Sequence, residues 1–130
     1  VTRFVALAFV AVGLLNLYPA VGALGVAQLE SLYGVPVASA ELELLLRHRA
    51  VAIGLVGALL LAAAWHAPLR PAALLAGVVS MGAYVVLAWP VDAHAPPIAR
   101  VFWADVVGVA VLLAAGIASY RIAACNRTPG

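Results

Sequence analysis

The chain has 130 residues, 67% of them apolar and 9% charged, with a mean hydropathy of +1.15. Soluble domains carry about a quarter charged residues, so the composition excludes one and predicts an integral membrane protein with room for a single small bundle. The net charge of +2 comes from seven Arg and no Lys against five acids; charge so dispersed orients a membrane protein and does not recruit nucleic acid.

The first apolar segment, Phe4 to Leu29, carries no charge and contains Asn16 and Pro19. It predicts a first membrane helix over about 4–24. A signal peptide is the competing reading, because Arg3 precedes an apolar core and Ala20-Val21-Gly22 resembles a small-residue cleavage site. The length of the run favours a retained span. Asn16, a polar group inside the helix, suits a hydrogen bond to a neighbouring helix.

A connector marked by Gly34 and Pro36 follows, with space for a short interfacial helix. Ser39 is placed as an N-cap and Glu41 falls in the first turn, where the helix dipole favours an anion. The second long helix therefore starts near 39, with its membrane part over about 46–65. Glu43 precedes Arg47 by four residues, the better orientation for a helical ion pair. The apolar run Ala50 to Trp65 is only sixteen residues, about 24 Å of helix against a hydrocarbon core of about 30 Å. The triplet Arg47-His48-Arg49 is thus drawn to the membrane edge or into it, where ionisable groups require partners or water.

Pro68 and Pro71 lie in a short polar stretch that reads as a tight hairpin. A third membrane helix runs over about 71–89, with Ala72, Ala76 and Ser80 at four-residue spacing. Pro90 to Pro97 forms the next connector. The fourth helix covers about 98–120, opened by a proline suited to a first turn, and a short polar tail begins at Arg121.

These segments predict an all-α, integral membrane four-helix bundle of up-down topology, one domain over 1–130. With a cytoplasmic N-terminus, Arg3, Arg70, Arg121 and Arg127 share that side and Arg47, Arg49 and Arg100 lie opposite, which places both termini in the cytoplasm. All five acids, Glu30, Glu41, Glu43, Asp92 and Asp105, fall at the non-cytoplasmic end with His48 and His94. Any site belongs at that crowded end. Tyr18, Trp89 and Trp103 suit an aromatic belt there, and Trp65 and Tyr120 suit one at the other face.

Asp105 lies one to two turns into the fourth helix, with Val101, Phe102, Gly108 and Val109 as helical neighbours, none able to pair with it. Its partner must come from another helix, water or a ligand. Arg47 and Arg49 are at comparable depth, which predicts an Asp105–Arg contact between the second and fourth helices. Arg47, Arg49, Arg100, Asp105 and Asn16 form the candidate ligand-binding or structural ion cluster. His48, Asp105 and Glu43 are the candidate acid–base residues, His48 because its ordinary pKa lies near neutrality. Histidine and acid spacings suggest no metal site, no cofactor is implied, and Cys125, the single cysteine, lies in the polar tail. The stripes Ala50, Gly54, Ala58, Ala62 and Ala104, Gly108, Gly116 predict close helix packing.

The string Leu44-Leu-Leu-Arg-His-Arg-Ala-Val51, the preceding Leu32-Tyr-Gly-Val35 and an Asp early in the last helix resemble a group of small bacterial four-helix membrane proteins. Some of that group carry the name phosphopantetheine adenylyltransferase. The resemblance spans nearly the whole chain and implies a bacterial inner-membrane location and attention to Arg47, His48, Arg49 and Asp105. It implies no activity: an enzyme of that name is a soluble α/β protein with a His-x-Gly-His motif, which this sequence lacks. Three functions stand open. One is binding of a membrane lipid or amphiphilic small molecule. The second is a structural or accessory subunit partnered by another copy or another membrane protein. The third is an isomerase or hydrolase acting on a lipophilic substrate through His48 and Asp105.

Overall fold

A computed structural model describes residues 2–90 and 96–125. Asp92, His94 and Arg127, with most of the last connector, lie outside the described residues. The described chain is all-helical: α1 (Thr2–Leu17), a 3-10 segment (Tyr18–Leu24), α2 (Val26–Tyr33), α3 (Ala40–Trp65), a 3-10 turn (Ala67–Leu69), α4 (Arg70–Ala88) and α5 (Pro96–Cys125). Four helical stretches, Thr2–Leu24, Ala40–Trp65, Ala67–Ala88 and Pro96–Cys125, are long and apolar enough to cross a membrane.

Local chemistry sets most boundaries. The helix changes from α to 3-10 at Tyr18, directly before Pro19, whose ring removes an N–H donor and crowds the preceding turn. Gly34, in the left-handed region at φ 66°, closes α2, and its N–H donates to the Glu30 carbonyl at 2.8 Å. A Cβ at Gly34 would also stand 2.8 Å from Pro97 Cγ, so glycine lets the end of α2 sit against the start of α5. Ser39 caps α3, its Oγ accepting from the Leu42 N–H at 3.2 Å.

α1 packs on α3 and α5, and α4 packs on the same two helices. The closest approaches of α1 to α3 are made by small residues: a Cβ on Gly57 would lie 2.7 Å from Leu17 N and 2.8 Å from the Gly13 carbonyl oxygen. The buried positions on α3 are Ala50, Gly54, Gly57, Leu60, Ala63 and Ala64. The expected four-residue stripe therefore drifts off the interface, and Ala58 is exposed. On α4 the buried positions are Ala73, Gly77 and Met81, each one residue beyond Ala72, Ala76 and Ser80. Phe9, Leu60, Met81 and Leu112 fill the centre, while large apolar residues such as Leu7, Leu55, Leu75 and Val86 face outward. Small residues at the closest helix contacts, with large apolar ones also facing outward, is an arrangement suited to a lipid-exposed bundle.

Candidate functional site

Arg47 and Arg49 are two residues apart on α3, about 200° around the helix, and have separate surroundings. Arg47 is exposed; its Nε donates to the Ala23 carbonyl at 3.0 Å and its NH1 meets Glu43 Oε1 at 3.2 Å. It ties the start of α3 to the end of the 3-10 segment, and both its bonds go to protein. Arg49 turns inward, half-buried, with its guanidinium carbon 5.2 Å from the Tyr33 ring centroid and 4.9 Å from that of Tyr84. A cation between two aromatic faces is held by ring quadrupoles without a counter-charge. This links α2, α3 and α4 through one side chain.

Asp105, half-buried on α5, lies within electrostatic range of Arg49. The expected closed contact is not formed: among the described residues the only ion pair is Arg47–Glu43. Tyrosine rings occupy the Arg49 guanidinium instead, so the Asp105 carboxylate keeps its accepting positions open. It opens onto a cavity of about 230 Å³ between the end of α1, α2 and the start of α5, lined also by Tyr18, Leu32, Tyr33, Arg100 and Val101. Tyr33 is 5% exposed, and its hydroxyl is buried without a hydrogen-bond partner among the described residues. A buried hydroxyl left unpaired costs about 1–3 kcal/mol, which makes this cavity wall receptive to a polar group.

The remaining candidates separate from this centre. His48 and Glu43 line a different space, an open groove beside Ala23, Arg47 and Val51, so the structure does not bring His48 together with Asp105. Asn16 is buried and donates to the Val12 carbonyl at 3.0 Å and to Met81 Sδ at 3.3 Å. It fastens α1 to α4 as the sequence led us to expect. Tyr33 and Tyr84 were not among the candidates from sequence. The signal for them, two tyrosines within a turn or so of segment ends, becomes meaningful only when the fold places both rings on Arg49.

At the opposite end, Arg70 is half-buried and clamps the last turn of α3, donating from Nε to the Ala63 carbonyl at 3.2 Å and from NH2 to the Ala64 carbonyl at 3.3 Å. A larger cavity, about 620 Å³, opens beside it. The sequence points to the other end for any site. Comparison of the chain with protein-family models, curated proteins and solved structures found no match.

Proposed function

We propose that this is a multi-pass protein of the bacterial inner membrane that binds a lipid or other amphiphile at its polar end. The helices cross in up-down order with both termini on the cytoplasmic side, as the arginine distribution favours. The bacterial location rests on the family resemblance.

One observation carries the binding reading: the cavity beside Asp105 joins a carboxylate that closes no ion pair among the described residues, Arg100 and the Tyr33 hydroxyl, which has no hydrogen-bond partner among those residues, to an apolar wall of Leu15, Leu32 and Val101. Ligand pockets commonly enclose about 300–1,000 Å³. A volume of about 230 Å³ suits a head group, with the apolar remainder lying along the bundle surface. The head must satisfy one acid and one arginine at once. It therefore combines a hydrogen-bond donor with an acceptor or anionic group, a choice the three arginines taken from sequence would not suggest. Arg47 and Arg49 serve the scaffold in this reading.

Native mass spectrometry of the wild-type and Asp105→Asn proteins in gentle detergent, with lipid analysis of the bound fraction, tests it. A defined species retained by wild-type and lost from Asp105→Asn, at an unchanged melting midpoint, is the expected result. Wild-type protein free of any bound species, with a destabilised variant, would assign the cluster to a structural subunit instead.

A further inference from the structure

The second cavity lies between the starts of α1 and α4 and the last turns of α5, and it differs in character from the first. Its body is apolar, with Phe9, Leu74 and Gly116 in the wall, and the side chains that bring polar groups to it are Thr2, Arg70, Ser119 and Tyr120. At about 620 Å³ it falls within the usual range of small-molecule pockets. The Ser119 hydroxyl is buried without a hydrogen-bond partner among the described residues, although a helical serine ordinarily finds a carbonyl one turn back.

Charge identifies what is missing. Arg70 is half-buried and forms no ion pair among the described residues. The four described acids lie on α2, at the start of α3 and near the start of α5, toward the other end of the bundle. A guanidinium has five N–H donors, and Arg70 commits two of them to the carbonyls that end α3. Those bonds aim the side chain and leave its charge without a counter-charge among the described residues, beside an apolar space and a hydroxyl that has no partner among them.

We propose that this cavity binds an amphiphile with one apolar chain and an anionic head, carboxylate or phosphate, the head taken by Arg70 and Ser119 and the chain by the Phe9 and Leu74 wall. The site is distinct from the Asp105 cavity and does not depend on it. An anion supplies the counter-charge to Arg70 and an acceptor for Ser119; a neutral head supplies only the second.

The test is native mass spectrometry of the purified full chain titrated with three probes that share an oleoyl chain: lysophosphatidate, oleate and monoolein. At least one anionic probe should bind one per chain, about tenfold or more tighter than monoolein, as a charge-assisted hydrogen bond implies. Retention of lysophosphatidate alone identifies a phosphate head, and retention of both anions admits a carboxylate. Arg70→Gln should reduce the anionic probe to the monoolein level. Ser119→Leu, which fills the cavity and removes the unpaired hydroxyl while leaving the α3 clamp, should abolish binding and carries the test where Arg70→Gln fails to fold. Asp105→Asn should bind these probes as wild-type does, which separates this site from the polar-end reading. Equal binding of monoolein, undiminished binding by folded Ser119→Leu, or loss in Asp105→Asn would overturn the proposal.

Discussion

Two arginines separated by one residue show how far a side chain's role depends on its facing. The Glu43–Arg47 pair followed from four-residue spacing alone, and it forms at 3.2 Å. The Arg49 environment did not follow, because its rings come from α2 and α4, and nothing in the spacing of Tyr33, Arg49 and Tyr84 announces that they meet. If the guanidinium plane between those rings secures the junction, Arg49→Lys should lower stability by about 0.5–2 kcal/mol. Tyr84→Phe, which keeps the ring face, should be close to neutral, and Tyr84→Leu should match Arg49→Lys. Melting midpoints in one detergent would check this, and a large loss for Tyr84→Phe would shift the role from the ring to the hydroxyl.

Among the elements, the α1–α3 interface depends most on a single residue. A Cβ at Gly57 would meet the Leu17 nitrogen, the Gly13 oxygen and the Asn16 carbonyl carbon at 2.7, 2.8 and 3.0 Å. All three are backbone atoms, so no rotamer change relieves the overlap and the helices must separate. Gly57→Ala should cost about 1–3 kcal/mol. Gly82, mid-helix on α4 with nothing within 4 Å of its Cβ position, should gain about 0.5–1 kcal/mol as alanine. Parallel thermal unfolding of the two variants would separate close packing from helix propensity; equal shifts would contradict it. The stripe that packs was readable as small residues but not in its register. Successive four-residue steps advance about 40° beyond a full turn, so Ala58 leaves the face that Gly54 and Gly57 occupy.

The whole molecule is apolar on its outside and polar near its ends. Trp65 and Tyr120 are exposed at one end, Tyr18 and Trp103 at the other, as interfacial anchors would be. With both termini cytoplasmic, an impermeant maleimide should label Cys125, the chain's single cysteine, in inside-out vesicles alone. A Ser39→Cys variant carrying Cys125→Ser should label in right-side-out vesicles alone. Labelling of both positions from one side would overturn the up-down order. The arrangement also gives each end its own cavity, one beside a carboxylate and the other beside a cation that form no ion pair among the described residues.

By itself the sequence determined the helical class, the four long apolar stretches, the Ser39 cap, the turn marked by Pro68 and the intrahelical Glu43–Arg47 pair. Each is a local matter of hydropathy, capping or spacing within one helix. Only the tertiary structure decided that Arg49 rests between two tyrosines while Asp105 opens onto a cavity, that His48 faces elsewhere, and that the end with few charges holds the larger cavity. Those outcomes depend on the rotation of each helix about its own axis. Close contacts between residues far apart in the chain set that rotation, and a one-residue change turns a side chain by about 100°.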